Sequence, residues 1–360
     1  MIIRVIKLDF TERRNRMTGN GKKGEIRMLD IAIEAGVSRA LVSAVLGGAC
    51  KGKIRVGEKT ASKIRAIAEK YHFQPNAIAQ RLNGKASKVI GVLIDSMAPP
   101  VRFNLISCIE RCAMKCGYLI QICEAHDNME NLYESYRFMK SHGVDGVICI
   151  SHDYPDSPCA NASELFNGCS DIVFVSGPKL KGHPHVFPDI GAGIAKAAAL
   201  LKANGRRCVF LLVTDHSAYT MKRRIAGFLS VFPENGKNIV AIPFTDGAEA
   251  WNRGQIEKFI TERFSQEPID GLIATNDLMA QMLISSLQKH TIRVPEDVGI
   301  IGCDNEPFTA WTNPSITTID QNNESIAGNA VDLLLKSLVP DAEIPEDIFV
   351  KPKLIERNST

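Results

Sequence analysis

The 360-residue sequence lacks several features that would place it in other classes of protein. It has no run of eighteen apolar residues, which excludes a transmembrane helix, and its first residues lack the small-residue cleavage site of a secretion signal. It has no Gly-x-x-x-x-Gly-Lys-Ser/Thr phosphate loop for nucleotide hydrolysis. The ten cysteines form no Cys-x-x-Cys pair, so we expect reduced thiols in the cytoplasm.

Signals for catalysis and metal binding are equally weak. No serine or cysteine lies between glycines on a strand-to-helix elbow, and residues 191–193 lack the third glycine of a dinucleotide-binding loop. His183 and His185 form an isolated pair that we expect to be solvated in a loop. The cysteines of 108–116 recur every fourth residue, as on a helix packing face, and no histidine follows at zinc spacing. The sequence therefore predicts no enzyme, no metal site and no cofactor.

Charge is distributed unevenly along the chain. Residues 1–88 contain 19 Lys and Arg against 7 Asp and Glu, whereas residues 89–360 contain 24 against 33. A basic amino-terminal part on an acidic remainder is typical of a nucleic-acid-binding module joined to a sensing domain. Residues 1–25 carry basic side chains among polar ones without periodicity, so we predict a disordered basic extension there.

Residues 28–46 form the pattern of a helix-turn-helix, two short amphipathic helices joined at Gly36-Val37-Ser38. Gly36 supplies the positive φ of the turn, and Ser38 caps the second helix. The predicted apolar face consists of Ile31, Ala32, Ala35, Val42, Val45 and Leu46. The opposite face, which would meet the major groove, consists of Arg39, Ala40, Ser43, Ala44 and Gly47. Any three-helix bundle could contain the same string, and that alternative stays open here.

The remainder of the basic part completes a small head. A helix over 58–73 is predicted to pack on the first two, which gives a DNA-binding domain at 26–73. Residues 74–87 contain a two-turn helix that is too short to be stable alone in water, so we interpret them as a linker that orders when held.

From residue 88 the chain alternates between strands and helices. Near-continuous apolar runs separated by helix-length segments predict two α/β lobes, each a doubly wound parallel sheet covered on both faces. The runs lie at 88–95, 118–125, 145–151, 171–177, 207–215, 237–244, 270–277 and 297–304. Late elements are predicted as strands 316–320 and 352–357 and helix 322–338. We assign lobe 1 to about 88–187 plus 318–347 and lobe 2 to about 188–317 plus 348–360.

Polar residues follow several of these strands, where doubly wound sheets bind their ligands. They are Asp215, Asn276, Asp277, Asp304, Asn305 and Gln321. For Asp304 with Arg224 we favour ligand binding, because unpaired charges rarely face an interior cleft. Asp277 alone is interpreted as a helix cap. Carboxylates and amides in pairs suit the hydroxyls of a sugar, on which Trp251 and Phe103 could stack, although either ring could belong to the core.

These motifs together resemble the lactose/galactose repressor (LacI/GalR) family of transcriptional regulators over nearly all of residues 26–357. DIAIEAGVSRALVSAVL resembles the family's helix-turn-helix signature, and FQPNAIAQRLNGKASKVIGVLI resembles its hinge and first strand. ATNDLMA, DVGIIGCDN and PSITTIDQ resemble later signatures in the expected order. The resemblance implies an all-α helix-turn-helix head on an α/β two-lobed body like that of periplasmic binding proteins.

The resemblance also implies a homodimer that binds double-stranded, pseudo-palindromic operator DNA, with no membrane association. The positions assigned to DNA in the helix-turn-helix and hinge are Ser38, Arg39, Ala40, Ser43, Ala44, Asn76, Ala79 and Leu82. In the family the residue matching Leu82 wedges between base pairs of the minor groove. Ala40 and Ala44 offer few hydrogen bonds to bases, and loop 47–56 is longer than usual. We therefore expect Lys51, Lys53 and Arg55 to contact phosphates, with a steep dependence of binding on salt.

A small effector between the lobes is implied, and its binding shifts the population of DNA-binding conformations. Its predicted contacts are Phe103, Ser176, Arg224, Trp251, Asn276, Asp304 and Gln321. Ser176 stands where lac-type repressors carry an effector-binding aspartate, so the resemblance does not specify the ligand. The chain has no leucine heptad after its last strand, which favours a dimer over a tetramer.

Two other classes of protein share parts of this pattern. A two-lobed solute-binding protein of a transport or sensing system has the same body, but it should have an export signal and no basic head. A two-lobed enzyme needs a nucleophile or cofactor loop, which we do not find. Deleting residues 1–87 separates the first two classes, because only a repressor loses DNA binding while keeping its ligand.

Overall fold

The computed structural model describes residues 26–47, 56–74, 86–95, 101–125, 129–151, 162–177, 179–214, 219–242 and 253–360. The chain divides between Ser87 and Lys88 into two compact units, which we call the head and the body. Within the described ranges, no helix combines the length and the apolar character needed to cross a bilayer. Asp215, Trp251, the loop residues Lys51, Lys53 and Arg55 and the hinge residues Asn76, Ala79 and Leu82 lie outside these ranges.

The head contains three helices, α1 (Met28–Ala35), α2 (Arg39–Leu46) and α3 (Glu58–Lys70). Gly36 has a φ of 72° and ends α1, as the turn pattern predicts. Ile31, Val42 and Ile64 are fully buried and contribute one residue from each helix to a shared core. The predicted apolar face is confirmed, except that Leu46 is only half-buried.

Lobe 1 of the body is built on a six-stranded parallel sheet in the order β11-β5-β4-β3-β1-β2. Its strands are β1 (Val89–Asp95), β2 (Leu119–Ala125), β3 (Gly146–Ser151), β4 (Ile172–Ser176), β5 (His185–Pro188) and β11 (Asp347–Val350). Its helices are α4 (Val101–Lys115), α5 (Met129–His142), α6 (Ala162–Leu165) and α11 (Asn323–Ser337). The apolar faces of α4 and α11 cover one side of the sheet, and that of α5 covers the other.

Lobe 2 has a second six-stranded sheet in the order β12-β10-β9-β8-β6-β7, parallel except for β12. Its strands are β6 (Val209–Val213), β7 (Ile239–Ala241), β8 (Gly271–Ile273), β9 (Gly299–Cys303), β10 (Thr317–Asp320) and β12 (Lys353–Ile355). Its helices are α7 (Ile190–Ala203), α8 (Tyr219–Leu229), α9 (Arg253–Phe264) and α10 (Asp277–Lys289), with 3₁₀ turns at Gly236–Asn238 and Pro307–Ala310. Helices α7 and α8 cover one face, and α9 and α10 cover the other. The predicted two-lobed, doubly wound architecture is therefore confirmed.

The chain passes between the lobes three times, and the passages differ from the predicted lobe limits. The first passage leads from β5 into α7, as expected. Strand β10 pairs with β9 in lobe 2, although the sequence pattern assigns residues from 318 onward to lobe 1. Strand β11 pairs with β5 in lobe 1, although the pattern assigns residues from 348 onward to lobe 2. Both strands are only four residues long, too short for their sequence to reveal which sheet they join.

The prediction for the histidine pair is wrong. His185 lies in β5, and both His183 and His185 are buried. The His185 ring is stacked between Phe174 and Phe187, at centroid distances of 5.4 Å and 5.2 Å. Its Nε2 accepts a hydrogen bond from the Leu180 amide at 3.0 Å, and its Nδ1 lies 2.8 Å from the His183 carbonyl oxygen. Aromatic neighbours and backbone partners thus replace the water that a loop histidine would have.

Strand β2 also departs from expectation, because its two faces are not fully covered. It lies at the edge of the sheet, and Leu119 and Ile122 on it are exposed, as is Met114 near the end of α4. By contrast, every residue of β3, β6, β8 and β9 is buried. An exposed apolar edge strand is unusual in a monomer and marks a surface that another chain can cover.

Candidate functional site

The first turn of α2 presents the exposed polar surface of the predicted recognition helix. Ser38 precedes the helix, and its Oγ accepts a hydrogen bond from the Leu41 amide at 3.3 Å. Ser38, Arg39 and Ala40 are exposed, and Ser43 one turn later is half-buried. Arg39 is therefore the long, charged side chain that this turn offers to another molecule.

Ala44 does not lie on the outward surface, and that part of the prediction is wrong. Only 5% of its surface is exposed, which places it with Val42 and Val45 among the buried residues of α2. A single methyl group does not extend past the side chains on either side of it, so a position that a helical wheel turns outward can still be covered. The outward face of α2 is narrower than the pattern indicates.

Three of the basic side chains of α3 interact within the head. The Lys63 ammonium donates a hydrogen bond to the Ala35 carbonyl at 3.0 Å and so binds the free carboxyl end of α1. Lys70 pairs with Glu34 at 2.8 Å, and Arg65 pairs with Glu58 at 3.2 Å. The contacts of Lys63 and Lys70 attach α3 to α1, so part of the excess positive charge of the head stabilises its own fold.

In the body, four predicted effector residues converge at the carboxyl ends of the lobe 2 strands. Arg224 on α8 is 7% exposed, and its Nη1 donates to the Thr275 carbonyl beyond β8 at 3.0 Å. Asn276 follows Thr275 and caps α10, its Oδ1 accepting from the Met279 amide at 2.9 Å. Asp304 follows β9, and its Oδ1 accepts a hydrogen bond from the Gln321 amide group beyond β10. The sheet brings together side chains from four separate segments.

This cluster holds charge in a poorly solvated place. Asp304 is 8% exposed, and burial raises the pKa of its carboxyl to about 6, although the charge of nearby Arg224 acts to lower it. Beneath both residues, the Cys303 thiol accepts from Arg224 Nη2 and from Gln321 Nε2 at 3.8 Å each. The Nε of Arg224 is buried without a hydrogen-bond partner. A donor and an acceptor whose hydrogen-bonding capacity is not filled thus lie side by side, as in a site for a polar ligand.

Asp277 is predicted from the sequence to be a helix cap, but Asn276 has that role. Asp277 is the first residue of α10 and is fully buried, and its carboxylate accepts from the Thr318 hydroxyl and, at 2.8 Å, from the Glu306 amide. A Cβ on Gly302 would lie 2.2 Å from Asp277 Oδ1, so β9 needs a glycine where this carboxylate crosses it. Burial, together with the charge of Asp304, raises the pKa of Asp277 to about 8.

This raised pKa predicts a dependence of stability on pH. An aspartate that titrates near 4 when unfolded and near 8 when folded keeps its proton only in the folded chain between these values, so stability falls as the pH rises through that window. We expect the free energy of unfolding to decrease by about 3–4 kcal/mol more between pH 5 and pH 8 in the wild type than in the Asp277→Asn variant. Urea denaturation at the two pH values measures this difference, and equal losses in both proteins would contradict the assignment.

Backbone conformation marks the same strand ends. Eight non-glycine residues of the described ranges have positive φ, and four of them lie at or just beyond strand ends of the body: Ser176, Asp304, Asn305 and Asn322, with φ between 52° and 115°. Non-glycine residues rarely adopt this region, and where they do the surrounding structure holds them there, commonly at functional sites. Three of the four positions lie beside the Arg224–Asp304 cluster, and Ser176 lies at the end of β4 in lobe 1.

The lobe 1 residues of the predicted site are less tightly placed. Ser176 is half-buried at the end of β4, next to Ser151, whose hydroxyl donates to the Gly177 carbonyl at 2.9 Å. Phe103 near the start of α4 is 62% exposed, so it is not part of the core. Neither residue has a side-chain contact with the lobe 2 cluster among those found in the described ranges.

Sequence reasoning missed Thr275 and Cys303, which contribute a carbonyl and a thiol to the Arg224 side chain. Neither residue type stands out in a sequence. The available signal was position, because each is adjacent to a predicted site residue at the same strand end.

Two family descriptions match the chain. "Bacterial regulatory proteins, lacI family" matches residues 27–76, and "Periplasmic binding protein-like domain" matches residues 197–360. The first therefore covers most of the described head, and the second covers the lobe 2 residues of the candidate effector site.

Relatives and solved structures agree with these matches over almost the whole chain. The HTH-type transcriptional repressor PurR of Yersinia pestis is 26% identical over 335 residues, covering 92% of this chain and 95% of the relative. The crystal structure of the lac repressor dimer bound to operator and the anti-inducer ONPF superposes with a TM-score of 0.80 at 22% identity, covering 93% of this chain and 99% of that one. The CelR–cellobiose complex superposes with a TM-score of 0.64 at 18% identity, covering 93% and 100%.

Proposed function

This chain belongs to the lacI family of bacterial regulatory proteins, and we propose that it is a repressor whose affinity for operator DNA is set by a sugar bound between its lobes. Members of this family are DNA-binding regulators with an effector-binding domain, and they are not enzymes. For this chain we propose which residues bind DNA and the effector, that the effector is a sugar, and that the regulator is a homodimer.

The first turn of α2 is the part of the head that we assign to base recognition. Arg39 is exposed there, and a guanidinium can donate two hydrogen bonds to a guanine edge in the major groove. Ala40 offers only a methyl group, which suits contact with thymine. Ser38 and Ser43 supply hydroxyls for phosphate or base contact, whereas buried Ala44 is no longer assigned a direct contact. The proposed contacts of Lys51, Lys53, Arg55, Asn76, Ala79 and Leu82 rest on the sequence.

The observation that carries the effector proposal is the buried Arg224–Asp304 cluster. It presents a guanidinium, a carboxylate and the amides of Asn276 and Gln321 within one lobe. Alternating donors and acceptors of this kind match neighbouring hydroxyls, each of which both donates and accepts. Phe103, exposed at the start of α4, and Trp251 are our candidates for stacking on the ring of a sugar, and Ser176 is our candidate for a hydroxyl contact from lobe 1.

Two experiments test the proposal. Selection of duplexes from a random library by the full chain should yield one pseudo-palindromic site, and deletion of residues 1–87 should abolish its binding. A thermal-shift screen of sugars and nucleobases on the same chain should give a rise in melting temperature with a sugar, because a ligand that binds the folded state stabilises it by mass action. A response to purines alone would contradict the sugar assignment, and failure to select any duplex would contradict DNA binding.

We also propose that the regulator is a homodimer whose two copies meet along one side of the body. In lobe 1, Ile122 of β2 and Met114 of α4 are both exposed and form part of this surface. In lobe 2, Leu278 and Trp311 are exposed, and Trp311 has 82% of its surface free. The hydrogen bond between Asp277 and the Glu306 amide holds the start of α10 beside the 3₁₀ turn that precedes Trp311. A symmetric pair of such surfaces would cover these side chains.

Replacing Trp311 should separate the copies. Loss of a tryptophan from the centre of an interface commonly costs about 2 kcal/mol or more, so we expect Trp311→Glu to raise the dimer dissociation constant at least about 30-fold. Sedimentation equilibrium measures this constant. Phe138→Glu on α5 is the control, since Phe138 is also exposed but lies on the other side of the lobe 1 sheet. Equal association of the Trp311→Glu variant and the wild type would contradict the proposed interface.

A further inference from the structure

The two lobes of the body contact one another beside the passages of the chain, through a stack of aromatic rings. The stack begins inside lobe 1, where Phe174, His185 and Phe187 follow one another at centroid distances of 5.4 Å and 5.2 Å. Phe187 then stacks on Phe349 of β11 at 5.5 Å, with an angle of 22° between the planes. Phe187 and Phe349 lie in β5 and β11, the two strands from which the chain passes from lobe 1 into lobe 2.

Lobe 2 completes this stack with two side chains of α8. The guanidinium carbon of Arg223 lies 4.9 Å from the centre of the Phe349 ring, within the range of a cation–π contact. The ring of Tyr219 lies 5.3 Å from that of Phe187. Arg223 also pairs with Asp189 at 2.7 Å, and Asp189 is the residue between β5 and α7. We call Arg223, Tyr219, Asp189, Phe187 and Phe349 the inter-lobe clasp.

The clasp lies beside the passages between the lobes, so a small change in the angle between the lobes directly changes its contacts. The Asp189 amide donates to the Val350 carbonyl at 2.8 Å, so two of the three passages are bonded to each other at this point. Lys179 of lobe 1 adds a second cation, paired with Asp347 at 2.5 Å and 5.9 Å from the Tyr219 ring. Asp189 caps α7 through the Ala192 amide, so it moves with lobe 2. Rotation of lobe 2 about these passages would therefore draw the paired Arg223 and Asp189 away from Phe349.

The same helix also carries the effector residue Arg224. Consecutive residues on an α-helix point about 100° apart, so Arg224 is directed to Thr275 and Cys303 inside lobe 2 while Arg223 reaches across to lobe 1. A ligand that shifts α8 at Arg224 would therefore also shift Arg223. Two adjacent residues of α8 thus connect the candidate effector site to the contact between the lobes.

We propose that Arg223 is a positioning residue that holds the lobes in the arrangement of this structure and thereby sets the affinity of the regulator for DNA. This inference rests on the proposed function, because it assumes that lobe angle controls DNA binding. It concerns a residue that does not touch the ligand itself.

Hydrogen exchange measured by mass spectrometry on the full chain tests the clasp without DNA or effector. In Arg223→Gln and in Phe349→Leu, amides of residues 186–192 and 348–354 should exchange about fivefold faster than in the wild type, given the usual strength of such contacts. Because the two side chains share one contact, the double variant should show an increase well below the product of the two single increases. Lys222→Gln is the control, since it removes an exposed charge from the adjacent position. It should leave the exchange unchanged.

A second measurement separates the clasp from the proposed function. Affinity for the duplex that the wild type selects should change about fivefold in the same direction in Arg223→Gln and Phe349→Leu, and not in Lys222→Gln. Wild-type exchange rates in Arg223→Gln, or accelerated exchange with unchanged duplex affinity, would overturn the inference. A wild-type chain that selects no duplex would instead overturn the proposed function, while the exchange rates still decide whether the clasp holds the passages.

Discussion

Replacing Arg224 by glutamine should weaken binding of the effector at least about 30-fold, because a buried ligand group that loses a charged hydrogen-bond donor costs about 2 kcal/mol or more. Arg224 is held in place by the Thr275 carbonyl, and its charge opposes the effect of burial on Asp304. Without it, the Asp304 carboxyl would have a higher pKa and would be a weaker acceptor for a hydroxyl. Isothermal titration with the sugar that gives the largest thermal shift measures the change.

Two controls make this result specific to the cluster. Lys222→Gln removes a positive charge two residues away on an exposed part of α8 and should leave the affinity for the sugar within about twofold of the wild type. Affinity of Arg224→Gln for the selected duplex without sugar should also stay close to the wild-type value. If Arg224→Gln bound the sugar as tightly as Lys222→Gln, the effector would have to bind elsewhere.

Replacing Gly227 by alanine should destabilise the body by about 3 kcal/mol or more, the upper part of the range for overpacked cores. Helices α7 and α8 cross closely at this residue, and a Cβ on Gly227 would lie 2.1 Å from the Gly191 carbonyl oxygen. A backbone atom within a helix cannot move aside as the end of a flexible side chain can. The helices must therefore separate, which disrupts the packing of Phe228 and Ile194 in the core of lobe 2.

Gly328 provides the matched control, because it lies inside helix α11 and a Cβ added to it would have no neighbouring atom within 4 Å. There the same substitution should stabilise the protein by up to about 1 kcal/mol, the difference between the helix propensities of the two residues. Urea denaturation of both variants compares the two effects. Similar stability of Gly227→Ala and the wild type would show that the helices do not cross as closely as the structure describes.

Much of the fold could be predicted because two signals are strong in this sequence: the helical spacing of apolar residues and the apolar runs of buried strands. Apolar runs such as those of β3 and β6 are buried on both faces, as strands in the middle of a covered parallel sheet are. The two strands that the pattern misses, β5 and β11, are four residues long and contain proline, histidine or aspartate. The strands with which they pair are far away in the sequence, so the few residues of each strand do not identify its partner.

The sequence predicts the location of the candidate effector site at the ends of the lobe 2 strands, but not the individual contacts of its side chains. Arg224, Asp304 and Gln321 stand out because polar residues at the ends of buried strands are unexpected there. The cap falls on Asn276 and not on Asp277, since cap position can shift by one residue with no change in the apolar pattern. The prediction that Ala44 is exposed fails for a related reason, because a helical wheel gives the direction of a side chain but not the size of the side chains around it.

In our proposal, binding of a ligand to the body controls the affinity of the head for DNA. Fluorescence anisotropy of the selected duplex, titrated with the full chain in the presence and absence of the saturating sugar, tests this coupling most directly. We predict that the sugar changes the duplex affinity of the wild type between about 5-fold and 150-fold, the usual range of coupling between two sites, and leaves that of Arg224→Gln unchanged. A sugar that binds the wild type tightly and leaves its duplex affinity unaltered would contradict the proposal.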